Sequence, residues 1–329
     1  MEKCPLFTRG FRAIFFAAAL LLLPALASAQ SPAYLTQWGT YGSGPGQFTI
    51  PYGVAARGGN IYVSDYLNHR IQAFTSEGAY LTEWGSFGSG DGQFFNPAGV
   101  ATDAAGNVYV VDQVNCRIQK FTGTGTYLTQ WGSSGSEDGQ FSLPVGVATD
   151  AAGDVFVTDG GGNQRVQKFT GTGIFLTGWG SPGSGDGEFS EPCGVATDAA
   201  GNVYVSDMNH RVQKFTGTGA YLTQWGSLGS DDGQFNEPCG VATDVNGNVL
   251  VVDLGNSRVQ LFSRSGAYLT QWGSYGSGNG EFSEPFGVVT DAVGSIYVVD
   301  RGNNRIQKFG LGPVPVRSTS WGRIKALYR

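Results

Sequence analysis

From residue 33 to residue 309, apolar and polar residues alternate in short runs that never take up the 3.6-residue period of a helix. In "PCGVATDAAGNVYVSDMNHRVQKFTGTGAYLTQW" (192–225) the runs are "GVAT", "NVYVSD", "RVQKF" and "AYLTQW". Between them stand "DAAGN", "DMNH" and "TGTG", whose Gly, Asn and Asp residues are turn formers. The pattern predicts four short antiparallel strands per unit. The unit then repeats. Tryptophans end the fourth run at 38, 84, 131, 179, 225 and 272, spaced by 46, 47, 48, 46 and 47 residues.

Four strands in such a unit, copied without a helix, predict an all-β, six-bladed β-propeller of four-stranded antiparallel blades. Residue size supports a wedge-shaped blade: Gly194, Val195 and Ala196 in the first strand are small, whereas Tyr221, Leu222 and Trp225 in the fourth are bulky. The ends are complementary. "AYLTQW" (33–38) is a fourth strand with no first three, and 285–309 supplies three strands with no fourth. The N-terminal strand is therefore expected to complete the last blade, closing the ring and removing exposed sheet edges. Trp321 belongs to no further blade, because Pro313 and Pro315 precede it.

Residues 1–29 read as a signal peptide. Lys3, Arg9 and Arg12 precede the apolar run "AIFFAAALLLL" (13–23), and Ala27-Ser28-Ala29 offers a cleavage site. The expected organisation is leader 1–29, propeller 30–310 and a basic C-terminal tail 311–329. The mature chain is expected to be secreted, periplasmic or extracellular, without a membrane span, and monomeric. Of the chain's 20 basic and 26 acidic residues, cleavage removes three and one, leaving 17 and 25, or a net −8. Nucleic acid is an unsuitable partner for that charge. Three cysteines remain in the mature chain, too few for a disulfide framework. In the tail, Trp321, Ile324, Leu327 and Tyr328 have the spacing of a short amphipathic helix, a candidate docking or sorting element.

The string G-Q/E-F-x-x-P-x-G-V-A-x-D…G-N-V-Y-V-x-D-x-x-N-x-R-I/V-Q-x-F resembles the NHL-repeat family over roughly residues 33–309. The resemblance implies the six-bladed ring. It leaves function open, since that family includes RNA-binding regulators, extracellular sensor domains and a metal-associated lyase.

The residues themselves narrow the choice. Asp65, Asp112, Asp159, Asp207, Asp253 and Asp300 each precede an Asn and an Arg, the pattern of a structural clamp. The "GSGDGQF" loops offer too few oxygens each for calcium, so they read as glycine-rich turns. The two histidines, His69 and His210, belong to blades one and four and cannot supply the three ligands of a catalytic zinc. The expectation is a protein that is not an enzyme, with no catalytic residues, metal or cofactor, binding a protein or glycan through one face of the ring. The alternative is a hydrolase or lyase with its active site at the central channel.

Candidate binding residues are those that vary between repeats. The residue between the Pro and the Gly of each first strand is expected at the channel rim, which selects Tyr52, Phe286, Cys193 and Cys239. Tyr52 and Phe286 fall in blades adjacent across the closure and would form an aromatic patch. Cys193 and Cys239 also lie in adjacent blades, near the limit of about 7 Å between Cα atoms for a disulfide; two buried thiols are the expectation and a bridge the alternative. The turns after the second strand add Tyr66, His69, Met208, His210 and Arg301 as loop-tip candidates.

Overall fold

The computed structural model describes Met1 and residues 31–310. The expected leader, and the tail with its amphipathic segment and Trp321, lie outside the described residues. Six four-stranded antiparallel sheets form a β-propeller. Blade 1 consists of Pro51–Arg57, Asn60–Asp65, Arg70–Thr75 and Tyr80–Trp84, and blades 2 to 5 repeat that order. Blade 6 takes Pro285–Thr290, Ser295–Asp300 and Arg305–Gly310 from one end of the ring and Ala33–Trp38 from the other. Ala33 pairs with Gly310 and Trp38 with Ile306, so the closure rests on an antiparallel ladder with one register shift, between Tyr34 and Thr36. Among the described residues no helix is long and apolar enough to cross a membrane.

The repeated residues explain why the blades stack. Each first strand contains or directly follows a glycine whose missing side chain admits the next blade: a Cβ on Gly53 would stand 2.5 Å from the Ala98 carbonyl oxygen, on Gly240 2.3 Å from that of Phe286, and on Gly287 2.7 Å from that of Tyr52. The six inner strands therefore approach backbone to backbone. Farther out, the phenylalanine of each glycine-rich crossover is fully buried against one from the third strand, as Phe94 is against Phe121 (5.6 Å between centroids). The periodic tryptophan covers a glycine in the following blade: a Cβ on Gly125 would meet the Trp84 ring at 2.7 Å. Apolar burial at both faces of each blade is the main source of stability.

The aspartate–arginine pairs are clamps. In blade 5 the fully buried Asp253 accepts from Arg258 Nε at 2.7 Å, from Asn256 Nδ2 at 2.9 Å and from the Asn236 backbone N–H at 2.7 Å. Arg258 also donates to the Ser230, Asp231 and Gln234 carbonyls of the crossover. One ion pair thus ties the hairpin to the glycine-rich loop that reaches it from the preceding blade. The same pair is present in all six blades.

A crossover-face candidate site

The ring has two unlike faces. The crossovers and the turns between second and third strands lie on one, called here the crossover face. The remaining turns form the opposite, turn face. The channel differs between them. At the turn-face mouth a cavity of about 800 Å³ opens between residues such as Arg57, Asp244 and Val293. At the crossover end the six inner strands leave only about 70 Å³.

The residue between Pro and Gly stands at this narrow end: Tyr52, Cys193 and Phe286 line it, Ala98, Cys193 and Cys239 are buried, and Tyr52 and Phe286 are half-buried. Cys193 and Cys239 are bridged, with Cα atoms 5.2 Å apart. The expectation of two thiols fails because the glycines draw adjacent inner strands closer than was assumed: a Cβ on Gly194 would stand 2.1 Å from the Cys239 oxygen. Cys116 is the free cysteine among the described residues; it is buried, and burial pushes its thiol above the ordinary value.

Four of the nine candidates converge where blade 6 meets blade 1. The Tyr52 and Phe286 rings are 3.8 Å apart between centroids. Tyr66 stacks on Tyr52 at 5.2 Å, with 19° between the planes, and its hydroxyl hydrogen-bonds Gln113 at 2.8 Å. The Arg301 guanidinium lies 5.1 Å from the Phe286 centroid and pairs with Glu284 at 2.8 Å. Tyr52, Tyr66, Glu284 and Arg301, with Ile50 and Asn304, line a hollow of about 570 Å³. Burial pushes the Tyr52 phenol well above its ordinary value, so it stays protonated and able to donate.

The other candidates are elsewhere. The disulfide joins Cys193, two residues before the inner strand Val195–Thr197 of blade 4, to the inner strand of blade 5, and Met208 is half-buried in the turn of blade 4. His69 and His210 are half-buried staples between blades: Nδ1 of His69 accepts from the Asn96 backbone N–H, and Nδ1 of His210 from that of Glu237, both at 3.2 Å. Asn304 does the same for the Ile50 N–H at 3.0 Å. Burial pulls His69 below its ordinary value, against the opposing pull of Asp112 and Asp65.

Two features of the crossover face escaped the sequence reading. The first is the residue between the paired Gly-Ser/Thr and Gly-Ser motifs of each crossover. Six equivalent backbone bridges hold Tyr41, Phe87, Ser134, Pro182, Leu228 and Tyr275 at one position. Four consecutive crossovers carry exposed apolar side chains there: Leu228 (64%), Tyr275 (81%), Tyr41 (74%) and Phe87 (62%). The signal was visible, a bulky residue varying inside an otherwise constant glycine loop.

The second is charge segregation. The clamps pair six aspartates with six arginines, and Glu83 joins the first of them through Arg70. On the turn face Arg57, Lys120, Lys168, Lys214, Arg264 and Lys308 nearly balance Glu77, Asp103, Asp150, Asp154, Asp198, Asp244 and Asp291. The crossover face carries Asp91, Glu137, Asp138, Asp186, Glu188, Glu191, Asp231, Asp232, Glu237, Glu281 and Glu284 against Arg301 alone. Nearly all of the ring's net charge is therefore on one side.

The comparisons with known proteins follow the same geometry. The NHL repeat matches residues 48–74, 94–121 and 141–169, each stretch running from a crossover to the third strand of a blade, and a family described as a 6-bladed beta-propeller matches 232–319. No curated protein matches the chain in sequence. Among solved structures, virginiamycin B lyase from Staphylococcus aureus is 15% identical, with a TM-score of 0.58, covering 84% of this chain and 98% of its own. A gluconolactonase from Xanthomonas campestris is 14% identical, with a TM-score of 0.59, over 86% and 99% of the two chains. A Bacteroides thetaiotaomicron protein of unknown function is 19% identical, with a TM-score of 0.66, over 84% and 76%. These neighbours overturn the flat expectation that the chain is not an enzyme, because rings of this architecture carry lyase and lactonase names. At such identity the likeness extends to the fold, not to its chemistry. By its repeats and its closed ring, the chain is a six-bladed β-propeller that carries NHL repeats.

Proposed function

We propose that the protein is an exported binding scaffold that takes a protein ligand on its crossover face. The observation carrying this reading is the arc formed by Leu228, Tyr275, Tyr41 and Phe87: at one structurally equivalent position, four neighbouring crossovers hold out bulky apolar side chains where the other two have Ser134 and Pro182. Exposed apolar surface rimmed by charge is the composition of a protein-recognition site. The hollow between Tyr52, Tyr66 and Arg301 adds aromatic and arginine groups of the kind that anchor such interfaces.

The test is affinity capture from the envelope or culture fraction, with and without residues 311–329. Wild type is compared with a Tyr41→Ser/Phe87→Ser/Tyr275→Ser variant and a turn-face control, Val245→Ser/Val293→Ser. A protein held by wild type and by the control, and depleted roughly tenfold or more on the crossover variant, is the expected result. Equal recovery on all three, or no specific protein on any, overturns the reading.

A further inference from the structure

We propose that the turn-face mouth of the channel is a separate binding site that takes a small organic acid: a carboxylate or sulfonate on a compact apolar body, with Arg57 holding the acid and Val245 and Val293 covering the body.

The mouth is asymmetric where most of the ring is regular. In blades 2 to 4 the turn between first and second strands reads Asp-Ala-Ala-Gly, at 103–106, 150–153 and 198–201. The three blades around the closure depart from it. Blade 5 has Asp244-Val245-Asn246-Gly247, blade 6 has Asp291-Ala292-Val293-Gly294, and blade 1 has the shorter Arg57-Gly58-Gly59. The cavity of about 800 Å³ lies against these three turns, and Ala199 is its one lining residue from blades 2 to 4. In a repeat array recognition resides where the copies differ, and here the differences gather round one cavity.

A second irregularity falls at the same place. Thr102, Thr149, Thr197, Thr243 and Thr290 each donate a hydroxyl hydrogen bond to the backbone carbonyl one blade back, forming a belt just inside the mouth. Blade 1 has Ala56 at that position, so the belt is broken between blades 6 and 1 and the Thr290 carbonyl receives no such hydroxyl. Ala56 and Thr290 both line the cavity, beside Arg57.

The charges at the mouth select the ligand. Asp244 is spent in its own turn, accepting from the Asn246 and Asn248 backbone N–H groups and from Asn248 Nδ2, each at 2.8 Å. Asp291 accepts from the Val293 and Ser295 N–H groups at 3.0 and 2.8 Å and from the Tyr297 hydroxyl at 3.0 Å. A cationic ligand therefore finds no carboxylate without partners. Arg57 is the opposite case. It is exposed, and its Nη2 donates to the Ala104 carbonyl at 2.6 Å. It enters none of the ion pairs among the described residues. Its guanidinium keeps donors for an acid, in the forked geometry that matches a carboxylate. Val245 and Val293, 66% and 87% exposed, offer apolar surface for the rest of the ligand to cover. The volume is that of a small-molecule site.

The probe is anilinonaphthalene sulfonate, an acid on an aromatic body, titrated into the full chain and followed by its fluorescence. The expected result is saturable binding, displaced by naphthoate and not by naphthylmethylamine. Arg57→Gln should weaken it roughly tenfold, the loss of one charge-assisted contact. Val245→Ala/Val293→Ala should weaken it roughly fivefold through lost apolar cover. Both variants should melt as wild type does, since Arg57 is exposed and alanines already build the turns of blades 2 to 4. Absence of binding, equal displacement by acid and amine, or binding unchanged in Arg57→Gln overturns the proposal. So does binding that survives Arg57→Gln but is lost in Tyr41→Ser/Phe87→Ser/Tyr275→Ser, which would put the probe on the crossover face. Each of those failures leaves the reading of the crossover face as a protein-binding surface standing.

Discussion

Adding one methyl group at Gly240 tests the packing of the ring more directly than any charge reversal. Gly240 is outside the left-handed region, so alanine adds no backbone strain of its own. Its Cβ would nevertheless stand 2.3 Å from the Phe286 carbonyl oxygen and 3.1 Å from the Val288 nitrogen, where ordinary contact begins at 3.4 Å. The shortfall of about 1.1 Å is against the backbone of the next blade, not a side chain that can swing aside. Overpacking a core commonly costs about 1–3 kcal/mol, and a backbone obstacle places Gly240→Ala at ~3 kcal/mol or above. At roughly 2–4 °C per kcal/mol, the melting temperature should fall by about 6–12 °C. Gly162→Ala is the matched control: its backbone is equally permissive, and the nearest atom to its Cβ is 3.7 Å away. Guanidinium unfolding followed by tryptophan fluorescence, together with calorimetry, gives both values. A Gly240→Ala protein within about 0.5 kcal/mol of wild type would show that adjacent inner strands are not held at the spacing on which the stacking argument depends.

Three other outcomes follow from the same structure. Arg258→Met leaves the fully buried Asp253 carboxylate without its cation and should cost about 3–5 kcal/mol, read from the same unfolding curves. Reducing the Cys193–Cys239 bridge, which spans 46 residues, should cost about 4 kcal/mol on chain-entropy grounds; unfolding with and without reductant, with thiol titration as the check, measures it. His69 accepts a hydrogen bond at Nδ1, and its pKa is lowered in the fold, so the unfolded chain binds the proton first as pH falls. Its contribution is complete above the ordinary value of 6.5 and is lost as pH drops through the lowered folded value. His69→Asn, copying the staple made by Asn304, should flatten that part of the stability–pH profile as pH falls below the ordinary value of 6.5. An unchanged slope would remove His69 from the account.

The repeat, the four strands of each blade, the number of blades and the closure by residues 33–38 were legible because each is a one-dimensional signal. Trp84 and its equivalents set the period, "NVYVSD" alternates as a half-period strand must, and the orphan strands at the two ends match. The Asp–Asn–Arg clamp was legible for the same reason, being local in sequence. Tyr52 and Phe286 could be placed together because neighbouring blades follow from neighbouring repeats, and the structure puts their rings in contact.

What spacing along the chain does not contain is the distance between blades. That distance made Cys193 and Cys239 a disulfide and narrowed the crossover end of the channel, because six glycines let backbones meet where side chains usually intervene. It also converted His69 and His210 from presumed loop tips into acceptors for the next blade's N–H groups. The segregation of charge is likewise a tertiary property: acidic crossovers and mixed turns alternate along the sequence, and only the winding of the ring sends every crossover to one face. Sequence alone determined which units form and in what order, since strand and turn preferences act within a few residues. Their separation and shared orientation were decided by packing between residues some 46 positions apart, and the candidate binding surface exists only at that level.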